Sequence, residues 1–369
     1  MTSLSGGRLS YAAVDQHRLQ DRLSADAQPL IDAALAAGMG SGVAVGVVTF
    51  SGVRATCVRG TTIRVRQTDS GEVATAGHKI SSATPFDVAS LTKPMATSTL
   101  LAAAVAAGHV TLSQPLAQVL PQAVGTPLGA CTLGALLSHT SGAIAWRDFY
   151  ADTAGIPTPR RAEAIVDAVL HHSLRADLAS DGRAPALYSD LGFIALGRML
   201  SVLHDAPLDE LFANRVAAPL QIQASFRRIE PRRTSPPQAG VSRATRYAPS
   251  DAIMATEIWP PRCATGEALQ GEVHDDNCAG LDGVAGHAGV FASLDDVLTW
   301  AHTWLRAYAG GSTPLGDALP TALVRRWVAS PDLPTTTWRH GFDTPSAGTS
   351  SAGRLVSSSA FGHLGKRLS

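Results

Sequence analysis

The sequence predicts an α+β fold, with antiparallel strands drawn from both ends of the chain and a mainly helical stretch between them. Three observations carry this. Residues 43–50 (VAVGVVTF) and 53–59 are β-rich runs joined at Ser51 and Gly52, the pattern of a hairpin. From Leu91 the chain becomes rich in alanine and leucine with helical spacing. Near the C-terminus it returns to strand-like sequence. The expected result is one sheet fed from both ends, with helices on it and an all-helical part beside it.

Taken in order, residues 1–27 read as a polar lead-in and residues 28–369 as the domain proper. Within the domain, 28–90 and 337–369 form the sheet part, and 91–336 the mainly helical part with its loops. Residues 29–39 (PLIDAALAAGM) read as a short amphipathic helix closed by Gly38, Gly40 and Gly42. The hairpin follows, and residues 65–82 are polar and loop-like. Residues 91–108 form the most helical segment. Further helices are expected at 130–137, 161–172, 191–204, 208–217, 294–309 and 320–329. Residues 231–250 and 257–283 are rich in proline, glycine and polar residues and read as long surface loops, a class that is usually functional or disordered. Residues 344–360 are of low complexity and read as a flexible loop. There is no internal repeat.

Composition removes several functions. Of 369 residues, 30 are basic and 30 acidic, so the formal net charge is zero and no basic block offers itself to phosphates. No apolar run approaches the roughly 20 residues that span a bilayer. Residues 1–29 carry no apolar core of a signal peptide, which predicts a cytoplasmic location. Cys57, Cys131, Cys263 and Cys278 are widely spaced without C-x-x-C and read as core thiols. His274-Asp275-Asp276 lacks the paired-ligand spacing of a metal site. Gly38, Gly40 and Gly42 do not continue into G-x-G-x-x-G, and there is no Walker lysine. No cofactor or metal is expected. The partner is a small-molecule or peptide substrate, and the oligomeric state is left open.

Only three of the 30 basic residues are lysines (Lys79, Lys93 and Lys366), so a lysine here stands out as a group that can give up its proton where arginine cannot. One of them closes the motif Ser90-Leu91-Thr92-Lys93 at the start of the most helical segment. Residues i and i+3 share a helix face, so the Lys93 amine can reach the Ser90 hydroxyl. A serine hydroxyl attacks only when a neighbouring base takes its proton. A lysine serves as that base when burial or another cation lowers its pKa. Pro94 sits in the first turn, where its missing N–H costs least. Spacing alone leaves Ser90 as open to a helix-capping role as to a nucleophilic one.

The surrounding residues, Phe86 to Pro94 (FDVASLTKP), resemble the nucleophile segment of the serine β-lactamase and penicillin-binding-protein superfamily, in its class C-like branch. Four further pieces follow in the family's order. Residues 136–142 (LLSHTSG) are similar to its Leu-Leu-x-His-Thr-Ser-Gly signature, and Tyr188-Ser189-Asp190 to its Tyr-x-Asn element. Residues 284–292 (VAGHAGVFA) are similar to its glycine-rich segment, and His363-Leu364-Gly365 to its Lys/His-x-Gly element. The resemblance covers about residues 28–369. It implies a β-lactamase/transpeptidase-like fold and a serine hydrolase that attacks an amide or ester (β-lactam, D-Ala peptide or carboxylic ester). Ser90 would carry the acyl group. Lys93 would take the proton or hold Tyr188 ionised, and Tyr188 would pass the proton to the leaving group. The N–H groups of Ser90 and of Lys366, after Gly365, would bind the oxyanion, and His363 and Asp190 would line the substrate cleft. His139 and His287 read as structural.

Two departures temper this. Asp190 replaces an amide with an acceptor-only carboxylate, which in contact with Lys93 raises the amine's pKa and makes it a poorer base. The sequence ends at Ser369, four residues after Gly365, where the family continues with two strands and a helix. The resemblance then implies missing last strands, a bare apolar face on residues 43–50 and unpaired sheet edges. A truncated, catalytically impaired relative that only binds a peptide or ester, or a gene remnant, is the alternative.

Overall fold

The computed structural model describes residues 15–68, 71–75, 77–175, 185–229, 252–258, 262, 268–329, 336–346, 350 and 352–365. The fold is α+β, built from small antiparallel sheets and many helices. Its first helix is Gln16–Ala36, capped by the Asp15 carboxylate, which accepts from the N–H groups of His17 and Arg18. It starts well before Pro29, which lies inside it, so much of the stretch read as a lead-in is helical. The reason is a stripe at a spacing of four: Leu23, Ala27, Ile31 and Leu35 pack together on Val43, Val45 and Cys57 of the hairpin. The face of 43–50 expected to be bare is therefore partly covered from the N-terminal side.

The hairpin is as the sequence predicts. Gly42–Val48 pairs antiparallel with Arg54–Gly60, with Gly42 opposite Gly60 and Val48 opposite Arg54. Side chains alternate across a strand, and the opposite face is kept small at Gly46 for a reason. A Cβ there would come within 2.8 Å of Leu298 and 3.0 Å of Leu294, on the late helix Leu294–Ala309. That helix has the ends the sequence predicts, because Ser293 and Asp296 form a reciprocal capping box and Gly310 closes it at φ 89°.

The single sheet fed from both ends is not formed among the described residues. The hairpin is a sheet of two strands. A separate three-stranded sheet places Val290–Ala292 between Phe86–Asp87 and Ser225–Phe226. The C-terminal segment contributes isolated bridges, Trp338 with Asp343 and Asp343 with Gly362. The loops expected at 65–82 and 257–283 contain structure too. Arg64–Thr68 pairs with Gly71–Thr75, Ala255–Ile258 with Ala268–Gln270, and Asp276–Gly280 is helical. These elements are too short, and their polar residues too frequent, for a period to show. Residues 231–250 lie outside the described residues.

The helical part matches expectation in place. Its centre is Asp190–Leu203, where Leu191, Phe193, Ile194, Leu196, Met199 and Leu200 are all buried, the signature of a helix covered on most sides. Residues 91–108 are less regular than expected: a 3₁₀ turn at Ala89–Leu91, a wide π turn at Lys93–Ser98, then Thr99–Ala106. Pro94 brings no N–H to the ladder, and its carbonyl accepts from the Thr99 hydroxyl at 2.8 Å. The turn is held from outside by indoles. Trp327 donates to Ser98 at 2.8 Å, and Trp300 and Trp304 each donate to Thr99 at 3.2 Å. Cys57, Cys131 and Cys278 are free and buried, and Cys263 lies outside the described residues. No single described helix is long and apolar enough to cross a membrane.

Candidate active site

The approach to Ser90 is a tight turn out of a sheet. Phe86 and Asp87 pair with Ala292 and Phe291, and Val88 N–H bonds to the Val290 carbonyl at 3.1 Å. Ala89 then takes a left-handed φ of 47°, costly for a residue with a Cβ. The Asp87 carboxylate fixes that conformation by accepting from Ala89 N–H at 2.9 Å and from His274 N–H at 2.8 Å. Burial pushes the Asp87 carboxyl up, and these two bonds pull it back.

Ser90 follows in the 3₁₀ turn, and Lys93 lies one turn on, fully buried. The Lys93 ammonium meets three oxygens: Ser90 Oγ at 3.0 Å, the His287 carbonyl at 3.2 Å and Asp190 Oδ1 at 2.7 Å. The first two are hydrogen bonds and the third is an ion pair. It also stands 4.8 Å from the Tyr188 ring centroid and 5.6 Å from that of Phe193. Burial alone would lower the Lys93 pKa, but the Asp190 charge and the Tyr188 hydroxyl outweigh it, and the net direction is up. The Tyr188 phenol is also pushed up, by burial first, with the Lys93 charge opposing.

Residues 136–145 hold this arrangement from behind. The His139 carbonyl accepts from Leu187 N–H, the Ile144 carbonyl from the Ser189 hydroxyl at 2.6 Å, and the Ala145 carbonyl from Asp190 N–H. His139 Nδ1 accepts from Ser189 N–H at 3.0 Å, which places the ring proton on Nε2. Burial and the nearby Lys93 charge hold His139 well below the usual imidazole range, so it is neutral. Its ring centroid lies 4.6 Å from that of Tyr188 and 4.9 Å from that of Trp338.

The glycine-rich segment runs along the other side. Thr97 donates to the Gly286 carbonyl at 2.6 Å, and Thr92 Oγ1 accepts from Val290 N–H at 3.1 Å. At Gly286 a Cβ would lie 2.1 Å from the Phe193 carbonyl, so only glycine allows this approach.

The sequence-predicted residues Ser90, Lys93, Tyr188 and Asp190 are thus in direct contact. His363 joins them: its ring centroid is 5.9 Å from that of Tyr188 and 6.0 Å from that of Trp338. Burial, then the Lys93 charge, push its pKa down to about 3. Gly365 lies beside the nucleophile turn, where a Cβ would be 3.8 Å from Leu91 and 3.9 Å from the Val88 carbonyl. Lys366 lies outside the described residues. A groove of about 1000 Å³ leads from Leu91 and His363 to Phe50 and Arg325. Sequence reasoning missed Trp338, which belongs to no motif, and the carboxylate of Asp87, whose role depends on a partner 187 positions away.

An α+β scaffold that sets a serine and a buried lysine one helical turn apart, with a tyrosine over the amine, defines the serine-lysine class of acyl-transfer folds. The family model described as Beta-lactamase matches residues 31–368, and the chain belongs to that family. It is 28% identical over 234 residues to the N-acetylmuramyl-L-alanine amidase of Bacillus subtilis (strain 168), a match covering 59% of this chain and 49% of the relative. The chain thus matches about half the length of that relative. The crystal structure of SurE superposes with a TM-score of 0.58 at 21% identity, over 90% of this chain and 65% of that one. A class C β-lactamase from Rhodobacter sphaeroides gives 0.53 at 17% identity, over 82% and 69%. The structural likenesses speak for the fold.

Proposed function

We propose that the chain is a serine hydrolase that opens an amide or ester through an acyl-enzyme on Ser90. The observation that carries this is the Ser90 hydroxyl held 3.0 Å from a buried ammonium, itself paired with Asp190 at 2.7 Å. With Lys93 charged and Tyr188 protonated, the Ser90 proton needs a relay. Lys93 first gives a proton to Asp190, and the free amine then takes the Tyr188 proton as Tyr188 accepts that of Ser90. The Ser90 oxygen then bonds to the substrate carbonyl carbon, and the Ser90 N–H, with that of Lys366, supports the oxyanion. Running the relay backwards protonates the leaving group, and water later releases the acyl group. An amide substrate is favoured by the relative named as an amidase.

A second reading has one observation behind it. Raised pKa values at both Lys93 and Tyr188 leave no base ready at neutral pH, which suits a cleft that binds a peptide or ester without turning it over. A nitrophenyl ester panel and a fluorophosphonate probe on wild type and Ser90→Ala separate the two. Turnover and labelling lost only in Ser90→Ala support the hydrolase. Equal rates in both proteins remove Ser90 from the mechanism.

A further inference from the structure

The segment His274-Asp275-Asp276 stands in no family motif described above, yet it touches the supports of both reacting side chains. Its His274 N–H donates to Asp87, the carboxylate that fixes the left-handed Ala89 immediately before Ser90. Its Asp275 carboxylate accepts from His287 Nε2 at 2.8 Å, and the His287 carbonyl is one of the three oxygens around Lys93. The His287 side chain is almost wholly buried. Two adjacent residues therefore connect the turn that presents the hydroxyl to the loop that holds the amine.

The segment is itself well anchored. Arg262 pairs with Asp276 at 2.9 Å, both side chains being buried, and also donates to the carbonyls of Val273 and His274. Glu257 meets His274 Nε2 at 3.0 Å. The Asp275 carboxylate, besides holding His287, caps the helix Asp276–Gly280 by accepting from Cys278 N–H at 2.8 Å. The Cys278 thiol reaches the Ala288 carbonyl at 3.1 Å, a second tie to the same loop. A carboxylate is acceptor-only, so the direction of the His287 bond is fixed: the ring donates.

We propose that His274-Asp275 is a positioning bracket for the Ser90–Lys93 pair, with the His287 ring as its link to the amine. The backbone N–H of His274 sets the nucleophile turn through Asp87. The Asp275–His287 bond sets the height of the loop carbonyl over Lys93, and so the place of the amine relative to Ser90 Oγ. The buried His287 side chain acts through its own loop and Asp275 acts through His287. This inference rests on the hydrolase reading, because it assigns these groups to the placement of that reading's two residues.

The test compares His287→Gln and His287→Leu, with Ser90→Ala as the control. The glutamine amide nitrogen falls close to the position of Nε2 and can donate to Asp275; leucine fills similar space and cannot. His287→Leu is expected to lower kcat for a nitrophenyl ester, or the fluorophosphonate labelling rate, by about tenfold to 100-fold, with KM changed less than about threefold. His287→Gln is expected to recover most of that loss. Amide exchange supplies a readout independent of turnover: faster exchange at residues 88–92 and 286–290 in the leucine variant, with Leu294–Ala309 unchanged. A leucine variant matching wild type in rate and exchange overturns the bracket, as does equal impairment by glutamine and leucine. Retained labelling in Ser90→Ala overturns the hydrolase reading instead, and the exchange result still decides whether the bracket positions these residues.

Discussion

The corner around Ser90 and the segment 336–365 that faces it are built in opposite ways. The corner is assembled from four distant parts of the chain, residues 86–99, 139–145, 188–193 and 286–290, tied to one another by polar contacts. The facing segment is joined by isolated bridges, with Leu355, Val356 and Leu364 exposed. The lesson is one of division. Placement of the paired groups is set by helices and short strands together, while the described residues of the opposite wall add rings, Trp338 and His363, on isolated bridges.

The strongest way to break this comparison is to attack the corner. Asp190→Ala leaves Lys93 charged and unpaired in the interior, which should cost about 3–5 kcal/mol, read by denaturant unfolding near neutral pH. Thr99→Val should come next. It strips the hydroxyl that two buried indoles donate to, and each orphaned donor costs about 1–3 kcal/mol.

Asp190→Asn sharpens the comparison through pH. Asp190 raises the Lys93 pKa against the lowering effect of burial, so removing its charge should bring that pKa down. The rising limb of the rate profile, set by the fraction of free amine, is expected to move to lower pH; an unmoved limb would mean that Lys93 does not govern it. Linkage has a definite sign here. The raised Lys93 value contributes stability below its unfolded pKa of about 10.5, and that contribution is lost as pH rises through the folded value. On the facing wall the sign reverses. His363, held down at about 3, refuses a proton that the unfolded imidazole takes near 6.5, so its contribution fades as pH falls from about 6.5 towards 3. His363→Asn should flatten that part of the stability curve. The smallest effect belongs to Leu355→Ser, at a fully exposed site, which should shift stability by less than about 0.5 kcal/mol.

Local signals were the ones the sequence showed. The hairpin had its turn at Ser51 and Gly52, residues 294–309 had helical spacing, and Ser90 and Lys93 share a helix face three residues apart. The Asp190–Lys93 contact was also legible, because a carboxylate in an amide's place needs a cation. What stayed hidden depends on partners far away. Val290–Ala292 is a strand of three residues that owes its place to strands on either side of it. The first helix was hidden for another reason. Its stripe of Leu23, Ala27, Ile31 and Leu35 straddles Pro29, which read as a boundary. His274 and Asp275 sat in a stretch whose composition suggested a loop, and their contacts with Asp87 and His287 appear only once the chain is folded.

The indoles that brace the turn after Lys93 give the molecule a built-in optical reporter. Three of its six tryptophans, Trp300, Trp304 and Trp327, have their N–H groups tied to the hydroxyls of Ser98 and Thr99. Emission from these rings should register any loosening of that turn, so under the proposed hydrolase reading a change at Ser90 should show in intrinsic fluorescence without a label.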